Sequence, residues 1–127
     1  MVDLKTYFPQ REHDTMSIKV YTWPVWPKVG EGTFDTITSD FINFAGKGKF
    51  LVWEFDVRIK VQVRSDTECG INFNGEDMDA TYRIDGNNLV FDIKNGPKPG
   101  TITVHEDSGG TTIDADIEGG HTLWIGP

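Results

Sequence analysis

The sequence predicts an all-β chain: an antiparallel, jelly-roll-like β-sandwich organised around one long strand, with a small closed β-barrel as the alternative. Three observations carry this. From Leu51 to Val63 the apolar residues Leu51, Trp53, Phe55, Val57, Ile59, Val61 and Val63 fall at every second position, and the polar residues Glu54, Asp56, Arg58, Lys60 and Gln62 lie between them. A period of two gives a strand one dry face and one wet face. Shorter alternating runs recur at about eight to twelve residues, bounded by Gly, Asn and Pro clusters, as in sandwiches and barrels. No stretch sustains a helical period.

In chain order, residues 1–16 lack a clear period and read as an N-terminal arm that either packs through Leu4, Tyr7 and Phe8 or is partly disordered. A single all-β domain then occupies residues 17–127. Ile18, Val20 and Thr22 mark a first strand, which the Trp23-Pro24-Val25-Trp26-Pro27 segment stops. Gly30 and Gly32 read as a turn, Thr33 to Thr38 as a strand, and Asp40 to Ala45 as either a helical turn or more strand. Gly46 and Gly48 then lead into the long strand, placed from Lys49 to Arg64. At roughly 3.3 Å per residue its alternating part would run about 40 Å. So long an edge invites aggregation, which calls for a central strand or a bend near Val57 that lets it serve two sheets. Trp53 is placed in the core. The wet face is acidic at Glu54 and Asp56 and basic at Arg58, Lys60 and Arg64, so neighbouring strands should carry the opposite order.

Beyond it, Cys69, Ile71 and Phe73 form one short strand and Met78, Ala80, Tyr82 and Ile84 another, joined at Asn74-Gly75-Glu76-Asp77. Asp85-Gly86-Asn87-Asn88 is tight-hairpin chemistry, since Gly and Asn tolerate the positive φ that such turns need, and Leu89, Phe91 and Ile93 follow. Ile102 and Val104, then Ile113, Ala115 and Ile117, form a further hairpin. Leu123, Trp124 and Ile125 close the chain.

With 127 residues, 37% hydrophobic and 12% aromatic, the chain has one domain's length and enough apolar surface to fold. Twenty acidic against twelve basic residues give a net charge of −8. That charge disfavours nucleic acid and anionic lipid as partners. The lone Cys69 excludes an internal disulfide, and Met1 to Ser17 lack the apolar stretch of a signal peptide. A cytoplasmic protein, or one released without a signal peptide, is expected. The long strand has no second strand of matching length with which to form an inserting hairpin, so stable membrane insertion is not expected.

The strongest binding signal is aromatic. Trp23 and Trp26, three residues apart between prolines that stiffen the backbone, with Tyr21 beside them and Trp124 on the last strand, offer flat rings to a glycan or protein at low entropy cost. The competing reading makes them plugs of the barrel or sandwich. Asn72, Asn74, Glu76, Asp77 and Asp79 gather five oxygen-bearing side chains around a turn, a density compatible with Ca²⁺ but without the spacing of a helix-loop-helix calcium site. Asp114, Asp116 and Glu118 form a second acidic stripe, read as a solvated face. His13, His105 and His121 show no ligand spacing, and Cys69 and Ser108 are the available nucleophiles, Cys69 on an apolar face.

No cofactor and no catalytic residue is therefore assigned. The leading expectation is a non-enzymatic β-sandwich module that binds a glycan or protein through the aromatic loop. The alternatives are a lipocalin-like barrel, a carrier or an enzyme, holding an apolar ligand against Trp53, Phe55, Phe73, Tyr82 and Phe91, and an assembly subunit of a larger particle, for example viral or phage, that pairs with copies of itself as a homo-oligomer.

Overall fold

The computed structural model describes residues 2–8, 13–20, 25, 27–95, 99–107, 110–117 and 121–127. Ten strands follow a short helix: α1 (Leu4–Tyr7), β1 (Thr15–Val20), β2 (Lys28–Ile37), β3 (Phe41–Phe50), β4 (Trp53–Val63), β5 (Glu68–Phe73), β6 (Glu76–Asp85), β7 (Asn88–Asn95), β8 (Gly100–Asp107), β9 (Gly110–Ile117) and β10 (His121–Gly126). Each strand pairs antiparallel with the next, and β1 pairs with β10 from Ser17 opposite Gly126 to Val20 opposite Leu123. The sheet is therefore a closed up-and-down barrel. This corrects the sandwich and bears out the alternative architecture: a sandwich needs two sheets, whereas here one sheet returns to its own first strand and no edge strand remains.

Alternation sends one side chain of each pair inward. Phe34, Phe44 and Phe91 are fully buried with Ile18, Ile71, Leu89, Val104 and Ile125 in one apolar cluster. Phe34 meets Phe44 edge-on at 5.1 Å between ring centroids and Phe8 at 5.5 Å. Aromatic pairs in this geometry add about 0.5–1.5 kcal/mol beyond area burial.

The two ends of the barrel differ. At one end lie the β2–β3, β4–β5 and β6–β7 turns, and α1 closes it. Asp3 caps the helix by accepting from the Lys5 amide at 3.0 Å, the Leu4 amide donates to the Ser39 carbonyl at 2.8 Å, and the Thr111 hydroxyl donates to the Tyr7 carbonyl at 3.2 Å. Leu4 and Phe8 are buried, so the N-terminal arm packs as an apolar plug. At the opposite end the β3–β4 and β5–β6 turns stand, and Val20, Phe50, Phe55, Met78, Ile102 and Leu123 are only partly buried against the core. That end is open.

Several local expectations are corrected. The long strand does not run through from Lys49: it is broken by a turn at Leu51 and Val52, with Phe50 opposite Trp53, and β4 begins only at Trp53. There is no bend at Val57, because β4 stays in continuous register with β3 from Trp53 to Gln62. The ten-residue β3 is the matching strand that the sequence did not reveal, and the pair's apolar side faces the barrel interior. Gly30, Gly32, Gly46 and Gly48 make no turns; they sit within strands as the facing pairs Gly30–Gly48 and Gly32–Gly46. A Cβ on Gly30 would lie 2.2 Å from the Lys47 carbonyl oxygen and 2.6 Å from the Gly48 Cα. Backbone approach this close admits only glycine. Phe41 to Ala45 belong to β3, with Asp40 in the turn before it, rather than to a helical turn, and no helix among the described residues is long and apolar enough to cross a membrane.

Candidate binding surface at the open end

The β3–β4 hairpin rises past the rim. On its far side β5 ends at Phe73, opposite Ile59, so Trp53 to Arg58 extend beyond the last residue pair with β5. The turn exposes Leu51 (69%), Val52 (81%) and Trp53 (65%), three consecutive large apolar residues. Trp53 is thus displayed, not core, although its parity matches that of the buried Val57. Leu51 has φ 57°. Positive φ at the first residue of a two-residue hairpin favours glycine, and a leucine there carries backbone strain of about 1–2 kcal/mol. Neither burial nor turn preference accounts for leucine at this position.

β1 and β2 are joined at the same end, where Val25 is 55% exposed. Tyr21, Trp23 and Trp26, the aromatic site residues expected from sequence, lie outside the described residues. Trp124 is half-buried on the outer wall of β10, opposite Lys19 and Asp114. The Lys19 ammonium sits 4.5 Å from its ring centroid and its indole folds over Gly126. Phe55 is half-buried at the rim and Phe73 lies at the edge of exposure, while Tyr82 and Phe91 are core. The inner wall expected for an apolar ligand is therefore split between core and surface.

The five oxygen-bearing side chains do not share a focus. Asn72 donates to Asp77 Oδ1 at 2.8 Å and accepts from the Gly75 amide at 3.0 Å, and Asp79 pairs with Arg64 at 2.9 Å. Asn74 points the other way, to β4. Its Nδ2 donates to the Asp56 carbonyl at 2.9 Å, its Oδ1 accepts from the Arg58 amide at 2.7 Å, and its own amide donates to the Arg58 carbonyl at 2.9 Å. Among the described residues no three His, Cys, Asp or Glu side chains converge as a metal site. Where β5 stops, the Asn74 side chain supplies one more rung of the ladder. It occupies positive φ (51°), which asparagine tolerates.

On the outer face, Lys47 stands opposite Asp56 and Lys49 opposite Glu54, as expected beside the acidic half of β4, but Arg58 and Lys60 face Ala45 and Asn43 rather than acids. Val29, Gly30, Lys47, Gly48, Lys49, Glu54, Phe55 and Asp56 line a solvent-open groove of about 600 Å³. Its lining is mixed, with two lysines and two carboxylates beside Val29 and Phe55.

Candidate reactive groups are tied up elsewhere. Cys69 is buried, which pushes its thiol up to about 11, away from the thiolate a nucleophile needs. Tyr82 donates its hydroxyl to the Ser65 carbonyl at the plugged end, and burial raises its pKa. His105 contacts Asp114 across β8 and β9 on the outer wall, and His13 lies 3.9 Å from Asp35. The side chain of His121 and both Ser108 and Glu118 lie outside the described residues. The exposed tip was missed from sequence because its three apolar residues continue the alternating run. The absence of a turn residue between Gly48 and Trp53 conceals it. Comparison with protein families, with curated sequences and with solved structures gave no match.

Proposed function

We propose that the protein is a non-enzymatic binding module that docks a protein partner through the apolar rim at the open end of its barrel. The contact surface is centred on the Leu51-Val52-Trp53 tip, with exposed Val25 at the same end of the barrel. One observation carries the reading: three consecutive large apolar side chains are held in water on a turn whose first residue is strained. Strained, exposed apolar residues on a rigid scaffold are retained where a partner covers them.

A protein suits this surface better than a glycan. Sugars stack on flat rings but also need hydrogen-bond partners, and Leu51 and Val52 offer none from their side chains. Anionic lipid is disfavoured by the chain's net charge of −8. An internal apolar ligand would compete for space with Phe34, Phe44 and Phe91.

The test is selection of peptides from a random display library on the full chain, with binding then measured to Val52→Asp. Selected peptides should be rich in apolar residues and lose at least tenfold in affinity to the variant, the scale expected of a central contact residue. Equal binding to the variant, selection of nothing while a glycan array is positive, or co-sedimentation with phosphatidylglycerol vesicles would overturn the reading.

A further inference from the structure

Resting on that reading, we propose that the partner enters as an extended segment that adds a strand to the edge of β4 at Trp53 to Asp56, where no described residue pairs with it on the β5 side, presenting apolar residues toward the barrel and basic residues opposite Glu54 and Asp56. The direction of the backbone groups supports this. Arg58 and Asp56 use their amide and carbonyl groups toward the β5 side, where Asn74 receives them. In a regular strand the groups of even-numbered residues here all face that side. The Glu54 amide and carbonyl and the Asp56 amide therefore face the lane that β5 vacates at Phe73. Asn74 fills the first position of this lane with a side-chain amide. A peptide would fill the following ones with main-chain amides, the chemistry of strand addition.

The faces of the lane fix the partner's pattern. Trp53, Phe55 and Phe73 line its apolar side, and Glu54 and Asp56 lie exposed on the outer side. An added strand meets these in alternation, so it must read apolar, basic, apolar, basic. A second copy of this chain fits poorly. Two-fold pairing about Phe55 would set Glu54 against Asp56 twice, and like charges directly opposite are destabilising.

The test uses two capped, fluorescently labelled octapeptides, one alternating lysine and valine, the other glutamate and valine, titrated by anisotropy against the full chain. The lysine peptide should bind, and the glutamate peptide should bind at least tenfold more weakly. Set against Glu54→Gln, which loses the same carboxylate and keeps the amide, Glu54→Pro removes an amide that faces the lane beyond β5, a position where an edge strand accepts proline. It should weaken the lysine peptide at least tenfold while the thermal midpoint moves by no more than a few degrees. Should that variant fail to fold, a lysine–valine peptide N-methylated at alternate amides serves instead, since it keeps every side chain and loses the edge bonds. One of its two methylation registers should lose binding. Failure of the lysine peptide to bind, equal binding of both peptides, or indifference to both backbone perturbations would overturn strand addition. If display-selected ligands depend on Val52 but not on the Glu54 amide, the apolar-rim reading stands and only this inference falls.

Discussion

Replacing Asn74 tests how the open end is built, because three separable effects meet in one residue. Asn74→Ala removes the bond to the Asp56 carbonyl and the bond from the Arg58 amide, and it forces alanine into a φ of 51°. Each bond lies at the exposed rim, where water can replace it, so each is worth about 0.5–1 kcal/mol net. The left-handed conformation costs alanine about 1 kcal/mol more than asparagine. Together these give a loss of about 2–3 kcal/mol. With an unfolding entropy of about 2.1 cal/mol/K per residue, a 127-residue domain has a total near 0.27 kcal/mol/K, so the thermal midpoint should fall by about 7–11 °C. Asn74→Gly restores the conformational freedom but not the bonds and should recover roughly a third to a half of the loss. Thermal and urea denaturation in calcium chloride and in EDTA should give the same differences, since the side chain serves β4 and not an ion. A loss under about 0.5 kcal/mol for Asn74→Ala, or a destabilisation that appears only with calcium present, would refute the reasoning.

Further outcomes follow from packing and titration. Gly32→Ala would place a Cβ 2.4 Å from Phe44 Cζ and 2.8 Å from the Ala45 oxygen, so it should cost about 1–3 kcal/mol by urea denaturation, whereas Gly86→Asn, at φ 61° with open space around it, should be nearly neutral. Phe8→Ala should cost about 3 kcal/mol, the lower end for a buried phenylalanine because α1 can yield, and should speed hydrogen exchange at Leu4 and Phe44 before β6 and β7. The Cys69 thiol is raised from 9.0 to about 11 by burial, so the folded state holds this proton more tightly than the unfolded chain. Its contribution to stability is complete below pH 9 and lost as the pH rises toward 11; Cys69→Ala should flatten that decline, and thiol reagents should react with the wild type only on unfolding.

Those elements whose rules are local were legible in the sequence. The alternation of β4 gives the right faces from Phe55 to Val63, and Asp85-Gly86-Asn87-Asn88 forms the expected hairpin, with Asp85 opposite Asn88 and Gly86 at positive φ. What failed depends on distant partners. Leu51 and Val52 carry no turn chemistry, so the β3–β4 turn disappeared into an unbroken alternating run. Gly30 and Gly32 looked like a turn, and Gly46 and Gly48 like a lead into the long strand, because their reason is close contact between β2 and β3, which a single strand's pattern does not express. Closure rests on pairing Ser17 with Gly126 across the whole chain, so sandwich and barrel predict the same local signals. Asn74 was singled out for its oxygens, and both its amide atoms are engaged, but as a strand extension. Trp53 had the correct parity and the wrong height, above a rim that only the length of β5 defines.

The central claim, that the open end is the docking surface, is tested most directly by nitrogen-15 NMR titration of the full chain with the tightest display-selected peptide. The account predicts that shift changes and protection concentrate at Phe50 to Asp56 and Phe73 to Gly75, with the plugged-end turns at Thr38 to Asp40 and Gly86 to Asn87 unmoved. Changes centred on α1 and the plugged end, or confined to the Trp124 wall, would contradict it.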